Sequence, residues 1–284
     1  MTGPWEAGHP TVDGLAGGSI TLVEGSSFAI SRLNGDIEPG GAQGLFFEDT
    51  RFVSAWRLRV DGAGLQSLAS IPLLPFAAMF VSRGQPRPDQ SDSTLFVERS
   101  RYVGNGMRED LVLRNFGREP AVCSITFDLV ADFAHLFEVK ESRVQVRGDH
   151  SAAVAGTVMR FAYDNSGVSR CLEVVFPPEA CVTPGLAELD VVVPPGGQWS
   201  TTLEFRLAVD GEPVELRYEA GAPVELSTPV RRLRQRSRLL PVSTATTRES
   251  TRRSARASAT SVRSASSTPN ILSGQRSRLA HRGS

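Results

Sequence analysis

Between Ser19 and Val209 one pattern recurs: short runs in which apolar and polar residues alternate, separated by clusters of turn formers. Alternation with period two sends successive side chains to opposite faces of an extended chain, so each run reads as a strand with one apolar face. In "RFVSAWRLRVDG" this puts Phe52, Trp56, Leu58 and Val60 on one face and Arg51, Arg57 and Arg59 on the other, with Asp61-Gly62 closing the strand. "SITLVEGSSFAIS" divides into two short strands around Glu24-Gly25. "STLFVERSRYVG" and "MREDLVLRNFG" form a pair joined through Gly104-Asn105-Gly106, and "AVCSITFDLV", "RCLEVVFPP" and "TTLEFRLAVDG" repeat the alternation. The intervening "NGDIEPGGAQG", "RGDH", "DNSG", "PPGGQ" and "DGEP" are turn chemistry. No window of helical length carries a clear 3.6-residue period; the one helix-like piece is Ala131–Val139.

Ten or more short strands at this spacing predict an all-β fold, an antiparallel β-sandwich of two packed sheets, with a closed barrel as the alternative. Uneven strand lengths, and a chain large for a small barrel, favour the sandwich. No repeat of fixed period points to a propeller. The organisation predicted is a flexible arm over 1–18, a sandwich over 19–230 and a disordered Arg/Ser-rich tail over 231–284. The sandwich is expected to carry one short helix.

Charge separates along the chain in the same way. Of 31 basic and 31 acidic residues, 13 Arg and one acid, Glu249, fall from Arg231 onward, leaving 18 basic against 30 acidic residues before it. The tail also holds 18 Ser or Thr and no aromatic, so it has too little apolar surface to offset chain entropy. Arg-Ser tracts bind RNA through charge, but without interleaved aromatics nucleic acid is not the expected partner. Such a stretch is also what an out-of-frame reading of a high-GC gene yields, and 30 Arg against the single Lys140 fits such a genome. The tail therefore reads as the product of a frameshift or a truncated gene.

Three cysteines, Cys123, Cys171 and Cys181, form no C-x-x-C pair and suggest reduced thiols in a cytoplasmic protein, with Cys123 on the apolar face of its strand. "MTGPWEAGHPTVDG" lacks the basic start and apolar run of a signal peptide. The most apolar run, Ile71–Val81, is interrupted by Pro72 and Pro75 and falls short of the ~20 residues that span a bilayer, so no membrane role is expected.

A search for catalytic chemistry returns little. His9, His135, His150 and His281 are scattered, no His/Cys set has metal-ligand spacing, and no nucleophile elbow or phosphate-binding loop is present. No cofactor or metal is expected. Carboxylates in apolar surroundings are Glu48, Asp49, Asp132 and Glu138, each most simply a turn, cap or ion-pair acid. Asp49 and Arg51 suit an ion pair bracing a corner, with the Thr50 hydroxyl serving the backbone, and Asp132 stands where an N-cap for the short helix is wanted. Trp56 reads as core; Trp199, after "PPGGQ", fits either the core or a sugar-stacking platform.

The ordered set "ISRLNGDIEPGGAQGLFFEDTRFVSAWRLRVDG", "MREDLVLRNFG" and "ADFAHLFEVK" resembles the N-terminal domain of bacterial glycogen debranching enzymes of the amylo-α-1,6-glucosidase type. The resemblance covers Ser19 to about Val230. It implies a supersandwich-like module that precedes an (α/α)6-barrel bearing the general acid and base of the glycoside hydrolase. The 54 residues after Val230 are not expected to hold such a barrel, so no catalytic residue is carried over and the chain alone is expected to be inactive. The matching positions, Gly35-Asp36-Ile37, Asp49-Thr50-Arg51 and Asp132-Phe133 with Phe137-Glu138, are expected to hold corners and interfaces. Asp49, Arg51, Asp132, Glu138 and Trp199 are the candidates for substrate or interdomain contact. The expected partner is an α-glucan or a helical-barrel catalytic domain, and the alternative is a stand-alone carbohydrate-binding sandwich.

Overall fold

The computed structural model describes residues 18–86 and 92–239, all within one compact unit, Met1–Leu240. Of the arm predicted over 1–18, residues 1–17 lie outside the described residues, as does the predicted tail from 240 onward. The strands are β1 Ser19–Glu24, β2 Ser27–Arg32, β3 Gly44–Phe47, β4 Thr50–Val53, β5 Ala55–Val60 and β6 Ala63–Gly64. They continue with β7 Gln66–Leu74, β8 Ala77–Arg83, β9 Leu95–Val103, β10 Gly106–Asn115, β11 Ala121–Val130 and β12 Asp149–Ala155. The last are β13 Val158–Asn165, β14 Val168–Val175, β15 Cys181–Thr183, β16 Leu186–Val193, β17 Gln198–Val209 and β18 Glu212–Pro213. Among the described residues there are two α-helices, α1 Leu136–Lys140 between β11 and β12 and α2 Thr228–Leu239 after β18, with a single 3-10 turn at Val224–Leu226.

Every pairing is antiparallel, and three sheets result. A 4-stranded sheet runs β1-β2-β3-β4, a 5-stranded sheet runs β15-β16-β11-β5-β6, and a 9-stranded sheet runs β12-β13-β14-β17-β10-β9-β8-β7 with β18 on β17. The large sheet packs across the small ones through one continuous core, as a sandwich requires. At its centre the Trp56 ring of β5 stacks on Phe127 of β11 (centroids 5.0 Å apart) and meets Phe205 of β17 edge-on at 4.9 Å. Cys123 lies in this core, as its strand pattern predicts.

Three local differences from the sequence reading have physical causes. The run predicted as one strand over 51–60 is two strands in two sheets, broken at Ser54, whose N–H and hydroxyl both turn to the Val130 carbonyl. The helix expected over 131–139 begins only at Leu136, because residues 132–136 run beside β4 instead: Arg51 N–H donates to Ala134 O at 2.9 Å and Leu136 N–H to Asp49 O at 2.7 Å. Finally, α2 carries order across the boundary drawn at 230/231. Pro229 and Val230 are buried at its start, Val230 with Phe76, Ala77 and Tyr218 in a small second core, and so short an apolar run gives no helical period to read.

Candidate functional site

Period-two alternation explains where the first polar cluster comes from. In β9 the inward positions are Leu95, Val97, Arg99, Arg101 and Val103, and in β10 they include Met107, Glu109, Leu111 and Leu113. Three charged side chains therefore occupy core positions, and the β9–β10 register sets Glu109 directly opposite Arg101. Arg99 donates from Nε to Glu109 Oε1 at 2.8 Å and from Nη1 to Asp36 Oδ1 at 2.6 Å. Arg101 donates from Nε and Nη2 to Glu109 Oε2 at 2.8 and 2.6 Å, and again from Nη2 to the Gly35 carbonyl at 2.6 Å. The Trp56 indole N–H completes the shell of Glu109 at 3.1 Å, and Asp36 also accepts from Leu58 N–H and from the Asn34 amide. Gly35 sits at φ +87°, and a Cβ there would press on the Phe80 ring and the Arg99 guanidinium. The chain must therefore pass here without a side chain.

These four charges balance, two guanidinia against two carboxylates, which is how ions persist in a core. Burial by itself would raise the Glu109 carboxyl, but Arg101 and then Arg99 outweigh it and hold the group down at about 2. For Arg101 burial wins and its guanidinium falls below the usual value, whereas the carboxylates on both sides of Arg99 overcome the same burial and raise it. Glu109, Arg99 and Arg101 are wholly buried, and their bonds tie β9 and β10 to the turn at residues 34–36.

The second cluster lies at one end of the sandwich and holds most of the candidates read from sequence. Arg51, buried against expectation, does not pair with Asp49. It forms a fork with Asp132, Nε to Oδ1 at 3.1 Å and Nη2 to Oδ2, while Nη1 donates to the carbonyls of Gly41 (2.9 Å) and Gln43 (3.2 Å). Asp49 is exposed at the β3–β4 turn, where Glu48 takes φ 51°. Asp132 is not the N-cap of α1; His135 is, its Nδ1 accepting from Phe137 N–H. Glu138 pairs with Arg147 at 3.2 Å. Trp199 is half-buried at the start of β17, opposite Leu113, with its side chain packed on the core.

Asp132 and Glu138 share a pocket of about 290 Å³ with Phe133, His150, Tyr163 and Arg170. Phe133 sits at φ 49°, a region that bulky residues rarely visit. Held there, its ring lies near-parallel to Tyr163 (5.8 Å) and edge-on to Phe52 (5.6 Å). A third feature is apolar: a groove of about 510 Å³ between β1 and β7, walled by Ile20, Leu22, Pro72, Leu73, Leu74 and Pro75. Beside it β7 forms an open edge of the large sheet, with Leu68, Ile71 and Leu73 more than 40% exposed. Among the described residues no group of three or more His, Cys, Asp or Glu could hold a metal ion, and no helix is long and apolar enough to cross a membrane.

Residues 22–204 match the family described as the N-terminal domain of (some) glycogen debranching enzymes. The chain belongs to this family. The debranching-enzyme domain thus contains both polar clusters, all five candidate residues and nearly the whole sandwich, while α2 and everything beyond fall outside it. No curated protein matches the sequence. Among solved structures, a protein assigned as a kojibiose phosphorylase from the human microbiome aligns at 6% identity and TM-score 0.48 over 76% of this chain and 32% of its own. The debranching domain thus spans about a third of that protein's length. A protein assigned as an aldose 1-epimerase from Escherichia coli K12 aligns at 11% identity and TM-score 0.41, over 68% and 99%. A galactose mutarotase related enzyme from Lactobacillus acidophilus aligns at 8% and 0.37, over 70% and 100%.

Sequence reading found Asp36 through its motif but passed over Arg99, Arg101 and Glu109. The signal was present: counted along the alternation, all three stand on the side of Val97, Val103 and Leu111, where a charge needs a buried partner.

Proposed function

We propose that this chain is the non-catalytic N-terminal module of a glycogen-debranching amylo-α-1,6-glucosidase, packing against a helical-barrel catalytic domain and shaping one wall of its α-glucan cleft. The observation that carries this reading is the family match over residues 22–204. Two features support it. The candidate carboxylates nearest a pocket are committed to guanidinia, Asp132 to Arg51 and Glu138 to Arg147, an arrangement that suits positioning rather than proton transfer. The apolar groove between β1 and β7, with the open edge beside it, offers the kind of surface that a neighbouring domain covers. The module acts in the cytoplasm, in keeping with three cysteines that form no disulfide.

The test mixes the purified chain with a separately produced helical catalytic domain of a debranching enzyme. A complex should form on gel filtration, and glucose release from a limit dextrin should rise when the chain is added, while the chain alone releases none. Glucose release by the chain alone, or no effect on the catalytic domain, would overturn the reading.

A further inference from the structure

We propose that the pocket between α1 and the β13–β14 end of the large sheet is a binding subsite for a single glucosyl ring of an α-glucan. The choice of an α-glucan rests on the debranching-module reading; the existence of a sugar site rests on the pocket itself.

Size and charge select the ligand. At about 290 Å³ the pocket stands at the lower end of the ~300–1,000 Å³ typical of small-molecule sites, room for one ring rather than an oligosaccharide. Its wall carries two carboxylates, Asp132 and Glu138, and two guanidinia, Arg147 and Arg170. That balance favours neither a phosphate nor a cation. It presents alternating acceptors and donors, which a neutral polyol meets with hydroxyls that do both. The groups are also held in place. Arg147 pairs with Glu138 and donates to the Gln145 side-chain Oε1 at 2.9 Å, Arg170 donates to Asp210 at 2.7 Å, and the Asn165 side-chain amide donates to the Tyr163 hydroxyl at 3.1 Å.

The floor supplies the apolar half of sugar recognition. Tyr163 and Phe133 lie near-parallel, and His150 closes on Tyr163 at 5.0 Å, so an aromatic surface faces the polar rim. The left-handed Phe133 backbone seats its ring between the core ring of Phe52 and Tyr163, so that Phe133 backs the aromatic floor from the core side. Beside the rim, Phe137 is 58% exposed and stacks on the pocket residue His135 at 5.5 Å, a second platform where the adjoining sugar would leave the pocket.

The experiment titrates the full-length chain with maltoheptaose, followed by tyrosine and histidine NMR signals and by retention on glycogen. Binding should be detectable, should shift His150 and Tyr163, and should weaken at least tenfold in both Phe137→Ala and Arg147→Ala. Both side chains are exposed or rim-placed, so circular dichroism should stay unchanged, and Phe116→Ala, at an exposed ring outside the pocket, should bind as the parent does. No response to maltoheptaose, or binding indifferent to both rim variants, would overturn the subsite. Complex formation with the catalytic domain, measured in parallel, separates the two readings. An intact complex without sugar binding sinks the subsite alone, whereas loss of the complex sinks the module reading.

Discussion

Replacing Glu109 with Gln changes almost no volume yet removes the anion on which two buried arginines converge. Glu109 accepts from Arg99 Nε, from Arg101 Nε and Nη2 and from the Trp56 indole. A glutamine keeps one acceptor oxygen and turns an NH2 group toward donors, so at least one guanidinium loses its partner. Arg99 retains Asp36, whereas Arg101 retains only the Gly35 carbonyl among the bonds described. Breaking a buried pair by removing one partner costs about 3–5 kcal/mol, against a total stability of about 5–15 kcal/mol for a domain. Urea unfolding of the full chain, read by tryptophan fluorescence with Trp56 in the core, should show a midpoint lowered by an amount equivalent to about 3 kcal/mol or more at unchanged slope. Adding Arg101→Met should recover part of the loss, because the stranded cation is then gone, and the double-mutant cycle should return a coupling of at least about 1.5 kcal/mol. A single-variant cost below about 1 kcal/mol, or strict additivity in the cycle, would refute the claim that the cluster is a mutually dependent buried network.

The same carboxyl predicts acid behaviour. Its folded value of about 2 lies below the ordinary 4.5, so its stabilising contribution is complete above pH 4.5 and is lost as pH falls toward 2; about 3 kcal/mol should disappear across that window, and Glu109→Gln should flatten the profile. Arg51→Met leaves half-buried Asp132 without its fork and the Gly41 and Gln43 carbonyls without a donor; a loss of about 2 kcal/mol is expected, with faster amide exchange at Ala134 and Leu136. Gly106→Ala forces a Cβ into the Phe205 carbonyl at φ +135° and should cost more than about 2 kcal/mol by thermal unfolding, whereas Gly62→Ala, with open space around it, should cost less. In native protein a thiol reagent should modify Cys181 quickly, and Cys123 and Cys171 only after denaturation; equal rates for all three would contradict the burial pattern.

What was legible in the sequence follows from what alternation encodes. Period two specifies which side of a strand faces inward, and so Trp56, Cys123 and the β9–β10 hairpin stand where it placed them. It does not specify what covers the other side. Arg51 lies on the face opposite Phe52, yet residues 132–136 and the loop around Gly41 fold over it, and its partner Asp132 is 81 residues away. A nearer acid, Asp49, was the natural guess only because sequence distance is what a sequence shows. Nor does alternation mark the kink at Ser54 that divides one apparent strand between two sheets, since that bend is stabilised by the distant Val130 carbonyl. The pocket illustrates both sides of this limit: Asp132 and Glu138 were visible as candidates, whereas Tyr163 and Arg170 joined them only through strand pairing.

That kink has a mechanical consequence. Residues 50–60 form one continuous stretch, bent at Ser54, whose first half is woven into the 4-stranded sheet and whose second half is woven into the 5-stranded one. Tension applied at residues 18 and 239 cannot peel one fabric away without tearing the other, so a single-molecule pulling trace should record one rip rather than a staircase.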